Sequence, residues 1–176
     1  MAPKSLDRFS TARLLAERLT ALHLPNLRQM DQNELFMAHL GGVRDEAGTR
    51  AYFNMNVAHW EEHGFGLWML RDGQDGTVIG RAVLRHLDVD GADEVEVGYG
   101  FLPEFWGQGL ATEVARACVG IGLERVALSS VVAITLPTNV ASRRVMEKAR
   151  LTYERKISHQ GIPHLLFRVG QDRPTS

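Results

Sequence analysis

Phe101-Leu102-Pro103-Glu104-Phe105-Trp106-Gly107-Gln108-Gly109-Leu110-Ala111-Thr112-Glu113 decides how this chain is read. The stretch leaves a strand pattern, turns through two glycines and enters a helix. Glycine takes backbone angles that other residues resist, and its missing side chain lets another group come up against the main chain. A helix starting directly behind such a loop presents unpaired N–H groups and the positive end of its dipole, which suits a phosphate. A tight strand-to-helix turn without a ligand would use the same residues. One phosphate carrier is excluded and a second fits poorly. The Gly-Lys-Ser/Thr ending of a nucleoside-triphosphate loop is missing, so no lysine reaches the terminal phosphates. A dinucleotide loop needs a third glycine and a βαβ unit, and this one follows a meander.

The meander lies just upstream. Residues 66–70, 78–87 and 94–102 read as three strands, separated by the turns Asp72-Gly73-Gln74-Asp75-Gly76 and Asp88-Val89-Asp90-Gly91. Connections this short imply antiparallel neighbours. Farther upstream, Asp45 is a natural N-cap for a helix whose Tyr52, Phe53, Val57 and Trp60 form an apolar stripe, and Gly64 stands where that helix should stop. Residues 14–19 suggest a first strand, and 22–30 a helix. Downstream of the loop come a helix over 109–125, a β-branched strand over 131–135 and a helix over 139–149. Two strands follow, at 152–157 and 164–169. The order predicts an α+β (mixed α/β) domain around one central sheet.

The 176 residues make room for one ordinary domain. We expect it to span 11–170, with polar, flexible tails at 1–10 and 171–176. Twenty Lys and Arg against 21 Asp and Glu leave a net charge of −1, which argues against a nucleic-acid binder that works by bulk phosphate neutralisation. No apolar run approaches the ~20 residues needed to cross a bilayer, and the N-terminus lacks an apolar signal core. Cys118 is the single cysteine, so an internal disulfide and a thiolate metal cluster are both ruled out. A cytoplasmic protein is expected. Nothing in the pattern selects an oligomeric state, and a dimer is compatible with it.

The segment from Val97 through Glu113 resembles the acetyl-CoA loop of the GNAT family of N-acetyltransferases, in particular the branch of the ribosomal-protein alanine N-acetyltransferases. Thr138-Asn139-Val140-Ala141-Ser142-Arg143-Arg144 resembles that branch's Asn-x-x-Ser helix start. The likeness runs from about Thr11 to Val169. It implies a mostly antiparallel sheet splayed between two strands, with helices on its faces. It further implies that acetyl-CoA lays its pyrophosphate on the backbone of Gly107, Gln108, Gly109, Leu110, Ala111 and Thr112. The pantetheine arm would pair like an added strand with Phe101 and Leu102. Asn139 would contact the pantetheine amides, Ser142 the thiol, and Arg143, beside Arg144, the phosphates. One departure stands out: where the family usually has glycine after the second helix, this chain has Arg150, in a position suited to a left-handed cap that costs a long side chain about 1 kcal/mol.

Acetyl transfer to an amine needs a deprotonated amine, a stabilised oxyanion and a proton for the leaving thiolate. Direct attack needs no enzyme nucleophile, and Cys118 falls inside a helix as a packing residue. Glu94 and Glu96 project from one face of the same strand, and either would serve as the base; Glu96 is favoured because the branch often has Glu before an apolar-Gly-Tyr step. Ser142 is the candidate acid. Asn139 is also simply a helix cap, and the two arginines could simply be solvated. Trp60, Phe65 and Trp68 belong to the core or to the wall of an acceptor pocket, and the turn Gln160-Gly161-Ile162-Pro163 would border that pocket. His59 and His63 are four apart on a helix, but no third ligand is spaced with them, so no metal is expected. The expected activity is acetyl-CoA-dependent N-acetylation of a primary amine, on a protein N-terminus or a small molecule, with a non-catalytic acetyl-CoA sensor or interaction module as the alternative.

Overall fold

The computed structural model describes residues 5–170. Eight strands form one sheet in the order β1-β2-β3-β4-β5-β6-β8-β7. They are β1 (Arg8–Ser10), β2 (Leu14–Arg18), β3 (Leu67–Asp72), β4 (Val78–Val89), β5 (Ala92–Phe101), β6 (Ser130–Thr135), β7 (Thr152–His159) and β8 (Ile162–Gly170). Every neighbouring pair is antiparallel except β5 and β6, which run parallel. The helices are α1 (Leu24–Asp31), α2 (Glu34–Met37), α3 (Glu46–His63), α4 (Leu110–Gly120) and α5 (Val140–Lys148). Among the described residues no helix is long and apolar enough to cross a membrane.

Local chemistry sets the ends of these elements. Asp45 caps α3 by accepting from the Gly48 N–H at 2.8 Å, and Gly64 ends it at φ 73°. The predicted helix over 109–125 is α-helical only to Gly120 and closes in a wider π turn over Ile121–Arg125. Arg150 does adopt the left-handed conformation, φ 68°. It closes α5 with two reversed bonds, Arg150 N–H to Glu147 C=O and Leu151 N–H to Met146 C=O, each 3.0 Å.

The expected N-terminal tail over 1–10 needs correcting. Arg8–Ser10 is an edge strand registered on Leu15–Glu17, and the Leu6 carbonyl accepts from the Trp68 indole at 2.8 Å. Residues 1–4 and the expected tail at 171–176 lie outside the described residues.

The sheet separates two apolar layers. Helices α4 and α5 pack on one face with Leu84, Val97, Phe101, Val114 and Phe167; α1 to α3 cover the other, with Leu27, Met37, Met69 and Val83. Trp60, Phe65 and Trp68 are core residues. Cys118 is fully buried, which pushes its thiol up to about 12 and leaves no thiolate for chemistry.

Candidate active site

Strands β5 and β6 meet at a single registered pair, Glu96 opposite Val132. Beyond it they part, and the parting opens between two cavities. One, of about 690 Å³, lies on the side of α3 and the β7–β8 turn; the other, of about 560 Å³, reaches the glycine loop. Val97, Gly98 and Tyr99 line both. Backbone polarity follows from the pairing. Leu102 N–H bonds Ile79 C=O at 2.9 Å, so alternate residues back to Gly98 address β4 while Val97, Tyr99 and Phe101 turn toward the gap.

Gly107 and Gly109 both hold positive φ, 74° and 80°. A Cβ on Gly107 would meet nothing within 4 Å, and one on Gly109 only the end of the Arg13 side chain at 3.6 Å, so the space above the loop is open. The helix ladder of α4 starts with Glu113 N–H to Gly109 C=O, which leaves the amides of Leu110, Ala111 and Thr112 ahead of it. An open cradle, forward amides and a helix start fit a pyrophosphate. Phe101, Gln108, Asn139 and Ser142 line the same cavity.

Two expected contacts shift. Leu102 does not line the cavity; its side chain is buried among the α1–α3 layer and its N–H is spent on β4. Of the expected pantetheine pair only Phe101 remains, and its carbonyl already accepts from the Trp106 indole at 2.7 Å. Arg143 is likewise absent from the lining, whereas Ala141, Arg144, Val145 and Lys148 are present. A helix advances about 100° per residue, so the face that carries 141, 144, 145 and 148 turns residue 143 away.

The two carboxylates differ sharply. Both oxygens of Glu94 are taken by Arg168, at 2.7 and 2.9 Å, and Glu94 lies outside both cavities. Glu96 lines the larger one and is 6% exposed. Its Oε1 accepts from Arg85 Nε at 2.7 Å, and among the described residues no hydrogen bond reaches Oε2. Burial works against the charge on Arg85, yet Glu96 and Tyr52 hold its guanidinium above its ordinary range. His159, Gln160 and Ile162 of the β7–β8 turn close the far wall.

On the other side of β5, the Tyr99 phenol lies 3.1 Å from both the hydroxyl and the carbonyl of Ser142. Asn139 starts that helix by accepting from Ser142 N–H at 3.1 Å. Burial pushes the Tyr99 phenol up to about 12, against the pull of Ser142, so it stays protonated at neutral pH. Sequence reading missed this partner, although the alternation that sends Glu96 one way sends Tyr99 the other. It also missed Arg13, whose Nη1 donates to the Gln108 carbonyl and whose Nε donates to Glu113, both at 2.8 Å. Thr11 adds a 2.5 Å bond to the same carboxylate. Burial would raise the Glu113 pKa, but these donors hold it below its usual range. No local pattern announces a bond across about 100 residues of chain.

The match to known proteins covers most of this arrangement. A family model described as the acetyltransferase (GNAT) domain matches residues 13–152. The chain belongs to the GNAT acetyltransferase family. An Aspergillus fumigatus relative, named FsC-acetyl coenzyme A-N(2)-transacetylase, is 35% identical over 163 residues, 87% of this chain and 68% of that protein. A Bacillus subtilis relative, YkkB, is 31% identical over 131 residues, 74% of this chain and 76% of its own. An Agrobacterium tumefaciens acetyltransferase structure superposes with a TM-score of 0.84 at 26% identity, covering 95% of this chain and 96% of that one. The ribosomal L7/L12 acetyltransferase RimL, solved with coenzyme A, shares the fold at a TM-score of 0.76 and 17% identity, with 92% and 96% covered. This GNAT chain is thus an acetyltransferase, and the family draws its acetyl group from acetyl-CoA.

Proposed function

We propose that this enzyme moves an acetyl group from acetyl-CoA directly to a primary amine, and that the two substrates meet where β5 parts from β6. The observation that carries this reading is the position of three side chains around one opening: Glu96 on the larger cavity, Tyr99 and Ser142 on the smaller. Acetyl-CoA supplies an activated thioester when bound to the loop. The free oxygen of Glu96 receives the proton of the incoming ammonium, directly or through a water. Arg85 fixes the rotamer of that carboxylate and neutralises its partner oxygen. Ser142, hydrogen-bonded to a protonated Tyr99, faces the thiol end and relays to the departing sulfur the proton that the nitrogen gives up as the amide forms, its own hydroxyl being restored in the same step. Cys118 takes no part, being buried and protonated.

The amine enters through the larger cavity, whose wall includes Tyr52, His159 and His164. Its volume, about 690 Å³, admits a peptide terminus or a small amine. The fungal relative's name, FsC-acetyl coenzyme A-N(2)-transacetylase, specifies transfer at a nitrogen, which supports an amine acceptor. The test is a panel of small amines and N-terminal peptides incubated with acetyl-CoA while free CoA release is followed. Turnover that depends on one amine class and collapses in Glu96→Gln supports the assignment. Acetyl-CoA binding without turnover on any amine would favour the sensor reading instead.

A further inference from the structure

The fold supplies what the sequence spacing could not: a third imidazole beside His59 and His63. His86, on β4, brings its ring to 4.2 Å from His63 and 5.7 Å from His59, centroid to centroid, and nitrogens of all three lie within 4.8 Å of one another. None of the three lines either cavity of the candidate active site.

We propose that His59, His63 and His86 bind a late first-row divalent cation of the zinc type, clipping the end of α3 to β4. Imidazole is the ligand such ions share, and three of them with an open fourth position is a recurrent zinc arrangement. The outer contacts point the same way. His59 Nδ1 donates to the Phe65 carbonyl at 2.8 Å, which fixes Nε2 as the lone-pair nitrogen. His86 Nδ1 donates to Asp93 at 2.9 Å, so its Nε2 is likewise turned out. A carboxylate or carbonyl behind each imidazole is how proteins orient metal-binding histidines. Asp93, with Glu62 lying 3.6 Å from His63 Nε2, offsets the cation's charge.

Binding makes two demands. His59 Nε2 must release the 3.1 Å bond it accepts from His86 N–H. The rings must also pivot, because metal–nitrogen bonds of 2.0–2.1 Å place tetrahedral ligands about 3.3 Å apart. All three side chains are only half-buried, so the pivot needs no core rearrangement.

The experiment uses tag-free, chelator-treated full-length protein, titrated with zinc by calorimetry and with cobalt(II) by its visible absorption. Expected is one ion per chain with tetrahedral-type cobalt absorption, and a rise in Tm on adding zinc. His63→Ala and His86→Ala should each weaken binding at least about tenfold and abolish the Tm rise. The pair His159→Ala/His164→Ala should leave both unchanged. His63 sits in the last turn of α3, and among the described residues its ring makes no bond to the backbone, so His63→Ala keeps the fold, which far-UV circular dichroism checks. Absence of one-to-one binding, or binding that survives either His63→Ala or His86→Ala, overturns the site. Because the readouts are binding and melting, the outcome is independent of the acetyl-transfer reading.

Discussion

Strand β5 behaves as two regions on either side of its contact with β6. Before the contact, Glu94 is locked by a two-pronged bond to Arg168, which itself reaches Glu154 and Ser130. At and beyond it, Glu96, Tyr99 and Phe101 border open space. The two glutamates share a residue type and a face, yet only the second retains an oxygen free of protein donors. What separates them is the strand across the sheet: β8 supplies an arginine beside Glu94, and the gap begins just past Glu96. A sheet can therefore turn one half of a strand into scaffold and the other into a site with no change in local conformation.

The sharpest way to break this comparison is to exchange the roles. Glu96→Gln keeps the shape and removes the proton acceptor, so kcat/KM near pH 7 should fall roughly 10²-fold, with partial recovery at high pH where free amine is plentiful. Glu94→Gln should leave kcat/KM nearly intact while lowering Tm, because Arg168 loses its paired carboxylate. Steady-state rates and thermal melts on both variants decide it. The opposite pattern would move the base to the closed region.

The loop at the open end is next. Gly109→Val places a branched side chain at φ 80° over the cradle, and acetyl-CoA affinity by calorimetry should drop at least tenfold, about 1.4 kcal/mol. A fall in Tm should accompany it, since the left-handed region costs a branched residue about 1–2 kcal/mol. Unchanged affinity would detach the loop from the cofactor.

A smaller effect is expected on the thiol side. Tyr99→Phe removes both of the phenol's hydrogen bonds to Ser142, and kcat should fall up to about tenfold with little change in acetyl-CoA affinity. The phenol is pushed up to about 12, so in the unaltered enzyme it should contribute no alkaline limb to kcat below pH 10. A limb near pH 10 that vanishes in Tyr99→Phe would show a phenol less buried than described.

Least affected should be the turn that ends α5, where Arg150 lines neither cavity. Arg150→Gly relieves a long side chain at φ 68° and should stabilise the protein by about 1 kcal/mol, roughly 2–4 °C in Tm. Activity should not change. A drop in turnover would tie the end of α5 to the site that its first turn serves.

By itself the sequence determined the order of the longer elements, the helix ends at Asp45 and Gly64 and the glycine loop between β5 and α4, while the left-handed turn at Arg150 came from the structure. The former are legible because each depends on neighbours within about one helical turn: a cap reaches three residues on, and a positive φ belongs to one residue. It missed β1 and α2, whose three and four residues are too short to show a period. The tertiary structure alone decided which of two equivalent glutamates opens on a cavity, which arginine of α5 faces the groove, and that Tyr99 meets Ser142. It also brought Arg13 to Glu113 and His86 to His59, across separations of 100 and 27 residues. Such pairings are set by strand order and register. Those are properties of the whole sheet, fixed only when every strand has chosen its neighbour, and residue spacing along the chain does not encode them.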